Sequence, residues 1–348
     1  LANKADHVLV FEMALPPVGL ATFTASASAA APPSSKELPR EAAGGDTVVS
    51  SDTYSLTFDE ATGMLKSITN LASGATTPLE ISWGWYNSSV GGCTEYGSDV
   101  PVDIRDPPCS NQKSGAYIFR PNSSEVFYPG PPAKPTLRVV KGPVVTEVYQ
   151  TFSDWATHVI RLYQGRSYVE VEWTAGPIPI DTPWMPAVAR DPKTGAALPN
   201  QWGKEVIVKY ASGLATQRAW YTDSNGKEMV KRVYNKRGPS YPSPYNISEP
   251  VAGNYYPVNA MMSLNDSTHE LAVLTDVSQA GASLQDGALE FMVHRRLQAD
   301  DNRGVQEPRK RLTLTLTRTR TRTRTRTLTL TLTLTLTLTL TLILRSCF

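Results

Sequence analysis

The 348-residue sequence has few cysteines and histidines and a low charged fraction of 19%. Three cysteines are too few for a disulfide scaffold. The histidines are spread along the chain without metal-ligand spacing, at His7, His158, His269 and His294. We therefore expect no metal site in this chain. For His158, which falls in a predicted strand, we expect a structural imidazole with satisfied nitrogens.

Common catalytic signatures are also missing. The chain has no G-x-S-x-G elbow, C-x-x-C pair, H-E-x-x-H motif or phosphate-binding loop. Asp300 and Asp301 are paired, but adjacent residues of an extended chain point to opposite faces, which suits a cooperating acid–base pair poorly. With Arg295, Arg296 and Arg303 nearby, we expect these carboxylates to order their loop by ion pairing. The residues by themselves predict no catalytic residue and no enzyme.

Charge is divided unevenly along the chain. Residues 309–348 hold nine of the 34 basic residues and no acidic one, so residues 1–308 carry 25 basic and 32 acidic residues, a net charge of −7. A mildly acidic body argues against nucleic acid as a partner. The sequence starts at Leu1 without a signal peptide, and we interpret it as a fragment or an incomplete gene model.

Short alternating runs dominate the sequence, and long amphipathic helical patterns are nearly absent. Regularly spaced runs separated by Gly, Pro and Asp turn signals are typical of a sandwich or barrel. We predict an all-β fold, a large antiparallel β-sandwich. Within it, residues 255–264 are predicted to form a strand, and residues 281–287 a loop with at most a short helix.

Composition divides the chain into three parts. Residues 1–46 hold short β-like pieces and then an Ala/Ser/Pro-rich stretch, residues 25–46, which we predict to be a linker. Residues 47–308 carry the predicted sandwich. Residues 309–348 contain a Thr-Leu and Thr-Arg repeat that lacks the variety needed to fix a strand register. We expect this tail to be disordered or a gene-model artefact, the alternative being a real basic or self-associating tail; its many threonines argue against a membrane span.

Glycosylation motifs favour passage through a secretory lumen. Four Asn-x-Ser sequons are present, at Asn87, Asn122, Asn246 and Asn265. In such a compartment Cys93 and Cys109 could close a local disulfide loop, worth roughly 3 kcal/mol, or they could remain two thiols. Aromatic residues near Gly/Pro loops could stack on sugar rings or pack in the core, namely Trp83, Trp85, Tyr117, Trp184, Tyr255 and Tyr256.

Many separate motifs occur in the order found in one enzyme family. They are KSGAYIFRP (113–121), VIRLY (159–163), VEW (171–173) with GPIP (176–179), WGKEV (202–206), WYTDSNG (220–226), EPVAGNYYPVN (249–259), LTDVSQ (274–279) and QDGALEFMVHRRLQADDNRGV (285–305). Together they resemble the C-terminal region of the class II α-mannosidases, glycoside hydrolase family 38, and within it the lysosomal acid branch. The resemblance covers about residues 47–308.

The resemblance implies a fold related to the mutarotase-like supersandwich, incomplete here at its C-terminal end because the family chain continues with further strands. It also implies a parent enzyme, a retaining α-mannosidase acting on N-glycan-derived oligosaccharides in a lysosome, vacuole or other secretory-pathway lumen. The family's nucleophile, its acid–base carboxylate and its zinc ligands belong to a catalytic domain whose motifs this chain lacks. We therefore expect this chain to be inactive alone, with that catalytic domain and a mannose-containing oligosaccharide as its partners.

Two positions match family residues near the sugar. Tyr117, in Ser-Gly-Ala-Tyr, resembles a tyrosine that reaches the sugar from the C-terminal domain, and Arg303, in Asp-Asp-Asn-Arg-Gly, resembles an arginine lining the same pocket. Both could instead serve only to build loops at a domain contact. A freestanding, non-catalytic lumenal β-sandwich that binds carbohydrate or acts as a scaffold is the alternative function.

Overall fold

The structure is a computed structural model of the 348-residue chain, and it describes residues 10–12, 22, 36–38, 45–91, 112–131, 134–185, 202–237, 247, 249–301, 303 and 339–346. Within these residues, 18 strands form two sheets in which every neighbouring pair is antiparallel. One short 3₁₀ helix spans Ala252–Asn254. The prediction of an all-β antiparallel sandwich is confirmed.

The larger sheet has ten strands. In spatial order they are β1 (Lys36–Leu38), β6 (Thr136–Lys141), β7 (Val145–Ser153), β8 (Ala156–Tyr163), β9 (Val169–Ala175), β18 (Thr339–Ser346), β15 (His269–Thr275), β14 (Met261–Asn265), β11 (Ala219–Ser224) and β12 (Glu228–Val233).

The smaller sheet has eight strands. In spatial order they are β13 (Tyr256–Val258), β16 (Gln279–Ala282), β17 (Ala288–Arg296), β10 (Lys204–Ser212), β5 (Thr76–Asn87), β4 (Leu65–Asn70), β3 (Tyr54–Phe58) and β2 (Thr47–Ser50). β10 lies in the middle of this sheet and pairs with β5 along one side and with β17 along the other.

The core lies between the two sheets and follows from the alternation of the strands. On β3, Leu56 and Phe58 are buried and the residue between them is half-buried, as a period of two requires. Trp83 of β5 connects the sheets: its Nε1 donates to Nδ1 of His158 on β8 at 3.3 Å, and its ring centroid lies 6.3 Å from that of Phe152 on β7. One contiguous cluster therefore joins inward residues of both sheets.

Three details differ from the sequence prediction. The run predicted as one strand over residues 255–264 is two strands, β13 and β14, which belong to different sheets. Residues 279–282, partly inside a predicted loop, form β16 beside β17. Within the predicted linker, Lys36–Leu38 forms β1 and pairs with β6. Each exception is a strand of three to five residues, too short for alternation to mark it.

The tail also differs from the expectation for eight of its residues. Thr339–Ser346 forms β18, which lies between β9 and β15 and joins the two halves of the larger sheet. Its register pairs Leu342 with Val169 on one side and with Val273 on the other, and both partners are buried. An alternating sequence is compatible with this position in the sheet, because its period of two matches the pleat of the neighbouring strands. Among the described residues there is no helix of the length and hydropathy needed to cross a membrane.

Candidate functional site

The outer face of the smaller sheet, where β5, β10 and β17 lie side by side, is covered by two irregular segments, residues 112–122 and 249–255. Phe119 and Tyr255 of these segments pack against Tyr86 and Ile207 of the sheet, and the Phe119 and Tyr255 rings meet edge to face at 4.8 Å. This small apolar cluster packs the loop that carries Tyr117 against the sheet.

An ion pair between a buried carboxylate and a half-buried guanidinium lies beneath the same loop. Glu205 of β10 and Arg295 of β17 are register partners, and the Arg295 guanidinium donates from Nε to Oε2 at 2.5 Å and from Nη2 to Oε1 at 3.0 Å. Glu205 is fully buried. Nη2 of Arg295 also donates to the carbonyl of Ile118 at 2.9 Å, and the Ser114 hydroxyl donates to Glu205. The strands therefore hold the loop from below through charge-assisted hydrogen bonds.

A second ion pair holds the two covering segments to each other. Arg120 is almost completely buried, and its Nε donates to Oε1 of Glu249 at 2.8 Å. Its Nη1 donates to the carbonyl of Gln112 at 2.9 Å. Because a buried guanidinium needs acceptors for its donors, Arg120 fixes the backbone at both ends of the Tyr117 loop.

Asp301 connects this loop with the one that carries Arg303. Its Oδ2 accepts from the backbone N–H groups of Tyr117 at 2.7 Å and Ile118 at 3.1 Å, and its Oδ1 accepts from the backbone N–H of Arg303 at 3.0 Å. Burial favours a higher pKa for this carboxyl, but the N–H groups of Tyr117, Arg303 and Ile118 outweigh it and hold the pKa of Asp301 below its usual value.

Asp301 orders its loop as predicted, but its hydrogen bonds come from backbone N–H groups, and the charge of Arg295 lowers the pKa of Asp301 without a direct hydrogen bond. Backbone N–H groups, rather than the guanidinium groups of Arg295, Arg296 and Arg303, supply the hydrogen bonds to its carboxylate, and Arg295 pairs with Glu205 instead. Turn backbones present N–H groups that satisfy a buried carboxylate at no cost in side-chain entropy.

Tyr117 and Arg303 are brought to the same place by this arrangement. Their backbone nitrogens bind the two oxygens of one carboxylate, although 186 positions separate them in the chain. Gln112 adds a second link, because its Oε1 accepts from Nη2 of Arg303 at 2.7 Å while its Nε2 donates to the Asp301 carbonyl at 3.2 Å. Tyr117 is 62% exposed and Arg303 is also exposed, so both face outward from a buried scaffold.

A buried carboxyl lies deeper in the same layer. Glu290 of β17 accepts through Oε1 from the hydroxyls of Tyr86 at 2.9 Å and Tyr255 at 2.5 Å. Burial raises the pKa of Glu290, and the two hydroxyls and Lys209 offset part of that rise. The same burial, together with Glu290, raises the pKa of Tyr255 well above its usual value. The Tyr255 hydroxyl therefore remains a hydrogen-bond donor.

His158 has the structural role expected from the sequence. It lies on β8 between Trp83, whose Nε1 donates to its Nδ1, and Gln150, whose Oε1 lies 2.6 Å from its Nε2. Nδ1 is thus an acceptor and Nε2 carries the proton. Burial lowers the pKa of His158 to about 3, so the ring is neutral.

Within the described ranges, no three His, Cys, Asp or Glu side chains cluster to hold a metal ion, so these residues do not fit a zinc site.

The other predicted sites fall into several places. Asn265 is exposed at the β14–β15 turn, while Asn87 and Asn122 are half-buried neighbours joined by a backbone hydrogen bond of 2.7 Å. Asn246, Cys93 and Cys109 lie outside the described residues, so glycosylation and the disulfide remain predictions.

Of the six aromatic candidates for sugar stacking, four are core or packing residues. Trp83 and Trp85 are buried, Tyr255 packs in the loop cluster, and Tyr256 lies beneath Arg232, whose guanidinium carbon is 4.1 Å from its ring centroid. Only two of the six keep large exposed surfaces, namely Tyr117 and Trp184, the latter 37% exposed.

The pair of Glu205 and Arg295 was not singled out by the sequence. A signal was present, because Glu205 directly precedes the apolar run 206–208 of β10 and Arg295 ends the alternation of β17. A charged residue inside a central strand is unusual unless it has a partner. Naming the partner requires the strand pairing, which the sequence does not show.

Sequence comparisons relate this chain to a known family. The family model "Glycosyl hydrolases family 38 C-terminal domain" matches residues 49–303. Lysosomal alpha-mannosidase of Bos taurus is 39% identical over 308 residues, covering 88% of this chain and 26% of that protein. Lysosomal alpha-mannosidase of Mus musculus is 40% identical over 305 residues, covering 86% of this chain and 26% of that protein.

An α-mannosidase from Enterococcus faecalis V583, known from a crystal structure, aligns at a TM-score of 0.48 with 10% identity, covering 86% of this chain and 29% of that one. The chain spans about a quarter of the length of the curated relatives it matches. The family model and the identity to these relatives decide the assignment: the chain belongs to glycosyl hydrolase family 38, and residues 49–303 correspond to its C-terminal domain.

Proposed function

We propose that this chain supplies the C-terminal β-sandwich of a retaining α-mannosidase that removes terminal α-mannosyl residues from N-glycan-derived oligosaccharides. The observation that supports it best is that Tyr117 and Arg303, which resemble sugar-pocket residues of the family, are anchored to the same carboxylate and face outward. Two residues so distant in sequence would not share an anchor by local structure alone.

The segment that carries Tyr117 is bonded to a second exposed side chain's neighbour. Val90 is 55% exposed, and it follows Ser89, whose carbonyl accepts from the Ser114 N–H at 2.9 Å. Tyr117 and Val90 are therefore two side chains that a covering domain could contact. We infer that the catalytic domain of the enzyme covers this face and that the sugar lies between the two domains.

The residues of this chain bind and orient the sugar rather than react with it. The Tyr117 hydroxyl can donate or accept, and the Arg303 guanidinium donates only, so both can hydrogen-bond sugar hydroxyls and exclude water from the pocket. Residues of the catalytic domain, outside this chain, would hold the zinc ion, which would supply a ligand site for mannose hydroxyls. The compartment we propose is the lumen of a lysosome or vacuole.

A transplantation experiment tests this function. Residues 49–303 replace the matching region of Bos taurus lysosomal alpha-mannosidase, and zinc-dependent release from an aryl α-mannoside is measured. We expect activity from the transplant and none from the purified 348-residue chain. A transplant that melts cooperatively but is inactive would count against the proposal, as would turnover by the chain alone.

The alternative function is tested with the same chain. A freestanding lumenal carbohydrate-binding protein would bind a mannose oligosaccharide without any catalytic domain. Calorimetry with the 348-residue chain and a high-mannose oligosaccharide gives a clear heat of binding in that case. Under our proposal the isolated chain shows only weak binding, because half of the pocket is missing.

A further inference from the structure

We propose that Asp301 is a positioning residue that fixes Tyr117 and Arg303 as one sugar-facing unit. This inference rests on the function proposed above. Asp301 has one carboxylate oxygen committed to each loop, Oδ2 to Tyr117 and Ile118 and Oδ1 to Arg303. It is 2% exposed, so water does not compete for those oxygens.

The chemistry of the group matters because all three bonds come from backbone donors. An ionised carboxylate accepts through both oxygens, whereas an amide keeps one acceptor and presents a donor in place of the other. Asp301→Asn therefore has to place an NH₂ group against one of the two loops. Its size is almost unchanged, so this substitution alters the hydrogen bonding and not the volume.

Gly115 shows that the contact is tight as well as polar. A Cβ atom at position 115 would lie 2.5 Å from both the Cβ and the backbone nitrogen of Asp301. The Tyr117 loop thus approaches the Asp301 backbone more closely than any side chain allows. Gly115→Ala separates the same two loops while leaving the carboxylate intact, which provides an independent way to test the contact.

The loop cannot simply move aside to compensate, because it is held from the other direction as well. The carbonyl of Ile118 accepts from Nη2 of Arg295 at 2.9 Å and from the Gly115 N–H at 2.9 Å. Ile118 therefore has its N–H on Asp301 and its carbonyl on Arg295, so the peptide units on either side of Ile118 are both fixed. The backbone of Tyr117, the residue before Ile118, is therefore held in one orientation.

The first experiment uses the 348-residue chain and measures amide hydrogen exchange with Asp301→Asn, Gly115→Ala and the control Asp154→Asn. Asp154 is an exposed turn residue between β7 and β8, so its change removes the same charge elsewhere. We expect exchange at Tyr117, Ile118 and Arg303 to become about ten- to hundredfold faster in the first two variants, the ratio for losing a hydrogen bond to a charged acceptor, and to stay unchanged in the control.

The second experiment uses the transplanted enzyme with the same three variants. We expect kcat/KM to fall about ten- to hundredfold with Asp301→Asn and Gly115→Ala, as displaced positioning groups do, while thermal unfolding stays cooperative. In a Tyr117→Ala background, Asp301→Asn should cost less than it does alone, because part of its effect passes through Tyr117.

The two failures are distinguishable. If the unmodified transplant is inactive although folded, the proposed function fails, and the exchange data still decide whether Asp301 holds the loops. If the transplant is active and Asp301→Asn loosens both loops without lowering kcat/KM, the positioning role is overturned. Unchanged exchange in Asp301→Asn and Gly115→Ala overturns it too.

Discussion

Arg295 holds both carboxylate oxygens of Glu205, with Nε to Oε2 at 2.5 Å and Nη2 to Oε1 at 3.0 Å, directly across the β10–β17 pair. Glu205 is fully buried, and the side chain of Arg295 is 23% exposed. A charge pair of this kind has to be anchored by other hydrogen bonds to offset desolvation. Here the anchors are Ser114 and the carbonyl of Ile118, so the pair that stabilises the sheet also sets the loop bearing Tyr117.

Tyr117 is expected to act on the sugar and not on stability. In the transplanted enzyme, Tyr117→Ala should lower kcat/KM by about tenfold or more, because one hydrogen bond in a closed pocket is worth about 1–3 kcal/mol. The melting temperature should change little, since the side chain is mostly exposed. Leu71→Ala, which truncates another exposed apolar side chain, is the matched control. Equal kinetic effects from both would remove Tyr117 from the pocket.

Glu290 should make the chain more stable as the pH falls from neutral. Its pKa is raised in the folded state, so between its ordinary value and the raised value the folded protein holds more protons, and stability is lost as pH rises. Glu290→Gln removes this pH-dependent contribution to the free energy of unfolding. Urea unfolding at pH 7.5 and pH 5 should therefore favour the variant more at pH 7.5, by up to about 1.4 kcal/mol per pH unit of the window.

Glu80→Gln, at an exposed position of β5, is the control for that measurement. It should leave the shape of the wild-type pH profile unchanged. Parallel profiles for wild type and Glu290→Gln would contradict a raised pKa of Glu290 in the folded protein.

His158 should change the pH dependence of stability in the direction opposite to Glu290. Its pKa falls from its ordinary value of 6.5 to about 3, so between these limits the unfolded chain binds a proton that the folded protein does not. Stability is therefore lost as pH falls below about 6.5, by about 1.4 kcal/mol per unit. His158→Phe should be less stable at pH 7, where it loses two hydrogen bonds, and should show a flatter profile between pH 6.5 and 4. A slope equal to wild type would be inconsistent with a neutral buried ring.

Replacing Arg161 should destabilise the protein more than replacing Arg166. It lies on β8, largely buried, within 2.8 Å of Glu147, Glu170 and Glu172. Arg161→Met leaves three neighbouring carboxylates and should cost about 2–3 kcal/mol, between the values for buried and for surface pairs. Arg166→Met, which breaks an exposed pair with Glu12, should cost less than about 1 kcal/mol. Equal costs in denaturant unfolding would contradict this ranking.

The strand β18 can be tested within its own repeat. Leu340, Leu342 and Leu344 are register partners of buried residues such as Val171, Val273 and Leu271. Changing the three leucines to lysine should lower the melting temperature and speed amide exchange on β9 and β15, because each of these positions is paired with a buried residue of a neighbouring strand. The same change at three leucines of the repeat outside the described residues, Leu328, Leu330 and Leu332, is the control. Equal effects of the two triple variants would show that β18 is not needed between β9 and β15.

Most of the sandwich is predictable because strand alternation is local. The alternating runs at residues 54–58 and 228–233 predict strands, and β3 and β12 have these bounds. The runs that predict strands at 137–140, 144–152, 156–162, 168–174 and 202–210 differ from β6 to β10 by one or two residues at the ends. Alternation fails at β13, β14 and β16, where three to five residues are too few to show a period. It also cannot say that β13 and β14, only two residues apart, pair in different sheets. Sheet membership depends on partners that are distant in sequence.

The sequence by itself determined the fold class, the family and the two candidate residues, since alternation and ordered motifs are properties of the chain read in one dimension. Only the tertiary structure decided that Asp301 binds the backbone of both Tyr117 and Arg303, and that Arg295 forms an ion pair with Glu205 across the β10–β17 pair. The physical reason is that a buried carboxylate takes whichever donors the folded backbone brings within hydrogen-bonding distance. At Asp301 two of those donors come from a loop more than 180 positions away.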